Sequence, residues 1–231
     1  MPDSLIGLIE ADKAVTLFLN GSDCPVLDNI VYLLTSAFWM FIPLAITLLY
    51  VIWKNNNLTG FIIMLLGIGM TILICDQFSA HICKPLFHRL RPTHDPAIQD
   101  LVDTLYGIKG GMYGFISSHA ANAFGVATFL MLVFKNRRFT ISAYIFAFIF
   151  AYTRIYMGVH FVGDILCGAI CGILFGWLIY FIYSKIHLKD ANHNGTYNEK
   201  DLLLFRRVLY GTYLFAIFFS IIHQCFLLYW N

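Results

Sequence analysis

Lys84, Arg91 and Arg154 are cations, His119 and His160 are histidines, and Asp164 is a carboxylate four residues after the second histidine. Residues four apart lie on one face of a helix. A carboxylate in that relation holds one ring nitrogen of His160 and turns the other outward as a nucleophile. Two of the cations are guanidiniums, which clamp phosphate oxygens with paired hydrogen bonds. Ser117 and Ser118 stand where a helix begins, so their hydroxyls and the free backbone N–H groups add anion-binding donors favoured by the helix dipole. His119 remains for proton transfer. One histidine to attack, one to protonate a leaving oxygen and three cations to neutralise a transferring phosphoryl group would perform phosphoryl transfer without a metal.

Those side chains need a scaffold that brings four stretches of sequence to one level. The chain has 231 residues, 59% of them hydrophobic and 12% charged, with mean hydropathy +0.73, which excludes an ordinary soluble domain. Apolar stretches near the twenty residues needed to cross a bilayer occur at 30–53, 58–78, 113–134, 139–157, 161–184 and 202–229. None shows the alternation of an outer-membrane barrel, so the fold class is an all-α integral membrane protein, a six-transmembrane-helix bundle. Residues 2–20 carry Glu10, Asp12 and Lys13 and lack a signal-peptide pattern, and they are expected to form an amphipathic helix on the membrane surface. The organisation expected is a single membrane domain: an interfacial helix over 1–26, a catalytic core over 27–184, a cytoplasmic loop over 185–201 and an additional span over 202–231.

Alternating helix directions place the ends that hold the charged set on one face. Nine basic residues, Lys54, Lys135, Arg137, Arg138, Lys185, Lys189, Lys200, Arg206 and Arg207, then share one side. Six, Lys13, Lys84, Arg89, Arg91, Lys109 and Arg154, share the other. The positive-inside rule puts the nine in the cytoplasm and the candidate site outside. The Asn194-Gly195-Thr196 sequon falls in the cytoplasmic loop and is discounted. The six cysteines lack CxxC spacing and read as small packing residues. His81, His88 and His94 suggest a metal only when pooled with the others, and Lys84 and Arg89 beside them disfavour a bound cation. Arg89 and His88 are expected to meet anionic headgroups. Asp76 is expected to pair with a basic residue inside the bundle, Pro43 to kink the first span, and Trp39, Trp53, Trp177 and Trp230 to anchor at the interface.

The segments KPLFHRLRP, SSHAANAFG and TRIYMGVHFVGD resemble, in order, the three signature motifs of the type 2 phosphatidic acid phosphatase superfamily: Lys-x6-Arg-Pro, Pro-Ser-Gly-His and Ser-Arg-x5-His-x3-Asp. The resemblance runs over 84–164 by motif. Ile116, Ser118 and Thr153 stand where the family pattern has proline, glycine and serine; none of the three removes a catalytic group. Bacterial forms usually place three spans before the first motif. Here there are two plus the surface helix, and the C-terminal span restores the count.

What the resemblance implies is a membrane lipid phosphatase that needs no cofactor and no metal. Lys84, Arg91, Ser117 and Arg154 would bind phosphate, with Ser118 as a further donor. His119 would act as acid and then base, and His160 would become a phosphohistidine oriented by Asp164. The partner expected is a membrane lipid and not a nucleic acid; the location expected is a bacterial inner membrane, with the site facing the periplasm. Undecaprenyl diphosphate is the first substrate expected, with lipid A phosphate next and phosphatidylglycerol phosphate third. A lipid-to-lipid phosphotransferase would use the same residues. A non-enzymatic carrier of anionic lipid would explain the cations but not His160 four residues before Asp164. A vanadate haloperoxidase shares the motifs, but its known forms are soluble.

Overall fold

The computed structural model describes residues 3–35, 40–187 and 197–230, and among these every regular element is a helix. Helix α1 is Asp3–Leu19, α2 Pro25–Thr35 and α3 Ile42–Asn55. The first expected span is therefore α2 and α3. Pro43 lies in the first turn of α3, and Met40 and Phe41 before it are already helical; the kink expected there adjoins residues 36–39, which lie outside the described residues. Trp39 and the Asn194 sequon lie outside the described residues.

Helix α4, Leu58–Gln77, starts where the Asn57 side chain accepts the Gly60 N–H at 2.8 Å. It widens into a π-helical turn, Phe78–Cys83, and runs on as α5, Lys84–Phe87. The whole is one rod of 30 residues from Leu58 to Phe87. The loop expected over 79–112 thus begins nine residues later than its polarity suggested, because hydrogen bonding continues past Gln77 through the π turn. The rod stops at His88, whose left-handed φ of 46° turns the chain.

Helix α6 is Ser118–Phe134, α7 Arg137–Tyr156, α8 Val162–His187 and α9 Glu199–Trp230. Among the described residues, four helices are long and apolar enough to cross a membrane: the α4–α5 rod, α7, α8 and α9. The 17 residues of α6 rise about 26 Å, at the short end of a span. With α6 and the α2–α3 pair, these helices correspond to the six expected crossings.

The centre of the bundle is α6, wrapped by α4, α7 and α8. Gly168, Gly172 and Gly176 recur every fourth residue on α8 and so share a face. An added Cβ there would lie 2.6, 2.2 and 2.3 Å from the carbonyl oxygens of Ser117, Ala121 and Gly125 on α6. The two backbones approach along this stripe as closely as small residues permit in membranes. Phe129, Met64, Val51, Ile52 and Phe139 fill the core beside it. Helix α9 contributes Leu202, Phe205, Leu209 and Ala216 to that same core, so the extra C-terminal span buttresses the bundle; Leu214 and Phe218 on it point outward.

Helix α1 is docked rather than free. Its Asp12 and Thr16 accept the N–H groups of Gly163 and Val162 at 2.9 and 3.1 Å, and its Lys13 pairs with Asp95 at 3.6 Å. Asn20 and Gly21 continue the attachment by bonding to the Tyr156 carbonyl at 2.8 and 2.9 Å.

Candidate active site

Four stretches meet at the end of the bundle where the α4–α5 rod and α7 finish and α6 and α8 begin. Lys84 opens the last turn of the rod. After the His88 turn the chain is extended, and Leu90 bridges to Tyr113 in antiparallel fashion. Arg91 N–H donates to Met112 O at 3.0 Å and Gly114 N–H to Arg89 O at 2.9 Å. This short ladder lays the first motif against the lead-in to α6. The Arg91 guanidinium is fixed by Nε donating to Tyr113 O at 3.2 Å.

Ser117 caps α6. It is fully buried, its hydroxyl accepts the Ala120 N–H at 3.4 Å, and its own N–H donates to Asp164 O at 3.1 Å. The Ser117 oxygen accepts from the helix while its O–H proton stays free to donate, and the first-turn N–H groups of Ser118 and His119 are further donors for an anion. His119, one residue into the helix, is exposed toward the mouth of the site. Its ring tilts against Phe150 at 5.8 Å, and the Arg154 guanidinium lies over the same Phe150 ring at 4.9 Å. Arg154 Nε is buried with no protein partner. His119 feels the charges of Arg154, Arg91 and Lys84 and the His160 ring together, so the groups sequence placed on one face do converge.

His160 lies in the turn between α7 and α8 with 1% of its surface exposed, and Asp164 is wholly buried. Asp164 Oδ2 accepts from His160 Nδ1 at 3.4 Å and from Phe161 N–H at 3.1 Å. With Nδ1 carrying the proton, Nε2 keeps its lone pair for the site. Burial pushes His160 below the ordinary imidazole range while Asp164 opposes the shift, and the Arg91 and Lys84 charges add to the lowering. A neutral, oriented imidazole at neutral pH is the form able to attack phosphorus. Burial likewise lowers Arg91, against the pull of Asp164. Gly114 is the floor of this arrangement. A Cβ there would lie 2.8 Å from Asp164 Oδ2 and 3.5 Å from His160 Nδ1.

Two residues of the site carried no signature. Arg89, expected to meet headgroups, instead donates from Nη1 to Asp164 Oδ1 at 2.9 Å and from Nη2 to Asp12 Oδ2 at 2.5 Å, with its guanidinium 4.2 Å above the Phe161 ring. Desolvated carboxylates attract it more strongly than solvated headgroups do. Its position two residues before Arg91 in an extended segment, and Asp12 within an apolar helix, were the signals available. The other histidines stay apart: His88 packs on Tyr113 at 5.0 Å and His94 bonds Thr93 Oγ1 at 3.0 Å. Asp76 makes no ion pair among the described residues, although its charge acts on Lys84. Thr153, at a motif position, spends its hydroxyl on Phe150 O at 2.6 Å.

A family model described as the PAP2 superfamily matches residues 60–187. The chain belongs to that superfamily. Among curated relatives, a "Lipid A 4'-phosphatase" of Bacteroides thetaiotaomicron is 38% identical over 78% of the chain and 80% of its own length. A protein of the same name from Porphyromonas gingivalis is 36% identical over 58% of the chain, and the matched stretch spans 56% of that relative. The crystal structure of a transmembrane PAP2 phosphatidylglycerolphosphate phosphatase from Bacillus subtilis superposes with a TM-score of 0.57 at 22% identity. It covers 78% of this chain and 88% of that one, and bears out the fold. The resemblance read from the three motifs and the all-α membrane bundle are thus both borne out, and the family and its curated relatives support a lipid phosphatase hydrolase.

Proposed function

We propose that this PAP2 superfamily member removes a phosphate monoester from lipid A, at the 4' position, on the periplasmic side of the inner membrane. The observation that carries the chemistry is the buried His160, hydrogen-bonded through Nδ1 to Asp164 at 3.4 Å and within the field of the Arg91 and Lys84 charges. The names of the two curated relatives move lipid A ahead of undecaprenyl diphosphate as the substrate. The nine-to-six distribution of basic residues supports a periplasmic site.

In the reaction, His160 Nε2 attacks phosphorus in line and an N–P bond forms as the P–O bond to the sugar breaks. His119 gives its proton to the departing sugar oxygen. His119 then takes a proton from water, whose oxygen attacks the phosphohistidine, breaks the N–P bond and releases inorganic phosphate. The three cations offset charge on the non-bridging oxygens, which is where a loose phosphoryl transition state carries it.

Detergent-purified protein incubated in excess chelator with lipid A, undecaprenyl diphosphate and phosphatidylglycerol phosphate tests the reading. Fragment mass spectrometry is expected to show lipid A losing its 4'-phosphate and keeping its 1-phosphate. Turnover of one of the other two lipids alone would move the substrate to it; phosphate appearing only on an added acceptor lipid would make the protein a phosphotransferase.

Gly114→Ala tests the floor of the site. The methyl group has no room beside Asp164 and His160. Turnover is expected to fall by about 100-fold, the scale of a one-ångström misplacement, while the melting temperature changes little. Wild-type kcat in that variant would mean that His160 and Asp164 can shift without consequence.

A further inference from the structure

Asp164 is a buried carboxylate, and a buried charge persists only when it is paired and fully hydrogen-bonded. Its Oδ2 serves His160 and the Phe161 N–H; its Oδ1 depends on Arg89 Nη1 at 2.9 Å. Arg89 is shared. Its other terminal nitrogen bonds Asp12 Oδ2, and Asp12 Oδ1 accepts the N–H of Gly163, the residue before Asp164. Thr16, one turn further along α1, takes the Val162 N–H at 3.1 Å. The contacts close a ring from Asp12 through Arg89 and Asp164 into the first turn of α8 and back to Asp12. Two side chains of the N-terminal helix therefore occupy donors that the start of α8 would otherwise leave open.

The electrostatic consequence follows from the sharing. A guanidinium devoted wholly to Asp164 would draw that carboxylate's charge away from His160. Asp12 divides the guanidinium between two carboxylates, leaving Asp164 enough charge to orient the imidazole and to stabilise the cationic ring that forms as phosphorus is attacked. The other charges acting on His160 are Arg91 and Lys84 from the first motif and, when protonated, His119 from α6, which is itself beside Arg154 of α7.

We infer that Arg89 and Asp12 are positioning residues for His160, a pair through which the N-terminal helix sets the charge and placement of Asp164. The inference rests on the phosphohistidine reading above and adds a role for residues outside the three motifs.

The acid limb of kcat/KM tests it, because protonated His160 cannot attack. Hydrolysis is followed with p-nitrophenyl phosphate and with lipid A, so that the result does not depend on the lipid. Arg89→Ala exposes His160 to the full field of Asp164, which favours the imidazolium, so the limb is expected to move to higher pH. Its kcat is expected to fall about 10- to 100-fold with KM nearly unchanged. Asp12→Asn keeps an acceptor for the Gly163 N–H but releases Arg89 to Asp164, so the limb is expected to move to lower pH. Arg89→Lys restores one cation without the fork, and should return the limb most of the way while recovering only part of kcat. Opposite movement in two variants of one ring is not a result that loosened packing produces. An unmoved limb with kcat within about twofold of wild type in both variants overturns the inference, as does a loss confined to the yield of folded protein. His160→Ala is run alongside. If it is inactive while both variants behave as wild type, the inference alone fails; if it retains turnover, the phosphohistidine reading and the inference fall together.

Discussion

His160→Ala is expected to abolish phosphate release, by about 10⁴-fold or more, while leaving a folded, monodisperse protein. The loss is large because no other group takes over the bond to phosphorus. His119 is placed to move a proton and is not held by a carboxylate, so it does not replace the nucleophile. The fold is expected to survive because Asp164 keeps two of its partners, Arg89 Nη1 and the Phe161 N–H, when the imidazole is removed. The substitution also leaves the Gly168–Gly176 stripe untouched. Brief exposure of wild type to labelled lipid substrate, followed by alkaline quenching, should trap an acid-labile phosphoryl group on the protein. That label should be absent from His160→Ala and should accumulate in His119→Ala with a leaving group good enough to need no acid. Turnover in His160→Ala above a few per cent of wild type would rule out a covalent step at this residue.

Gly172→Ala is expected to have the largest effect on folding of any single methyl group in the chain. The added Cβ would lie 2.2 Å from the Ala121 carbonyl oxygen, 2.9 Å from its carbon and 3.0 Å from its Cα. Every one of those atoms is backbone inside α6, so no side-chain rotation relieves the overlap and the helices have to separate. Separation loosens packing on both sides of the stripe, and a cost of about 3 kcal/mol or more is expected, against the 1–3 kcal/mol usual for overpacking. The stripe also begins beside the site, where Gly168 faces Ser117 O. Helix α8 moving outward would therefore carry His160 and Asp164 away from His119, and the protein that does fold should be nearly inactive. Gly69→Ala is the control. It sits in a transmembrane helix too, but nothing lies within 4 Å of its added Cβ, and it should melt within a degree or two of wild type. Thermal unfolding and gel-filtration profiles in one detergent check the pair; equal melting temperatures would mean that the α6–α8 approach is looser than the backbone distances require.

Sequence by itself determined the solvent and the helical class, and it singled out the candidate site. Twenty-residue apolar runs have one stable backbone solution in a bilayer core, and ionisable residues are so costly at that depth that Lys84, Arg91, His119, Arg154, His160 and Asp164 stood out against the apolar background. The four-residue spacing from His160 to Asp164 also put the pair within reach, although not on one helical face as expected: His160 lies in the turn before α8, and the bond runs from that turn to the first turn of the helix. Helix ends were less legible. The α4–α5 rod ran through a polar stretch because its hydrogen bonds are closed within the helix whatever the side chains. Tertiary structure alone decided what Arg89, Asp12 and Gly172 do. Arg89 finds Asp164 75 positions along the chain and Asp12 77 positions back, and the Gly172 contact joins two helices. Such contacts depend on the crossing and rotation of whole helices, and no periodicity within one segment encodes them. The physical reason is range: burial and helical hydrogen bonding are set by near neighbours in the chain, whereas the pairing of buried charges is settled only when separate helices dock.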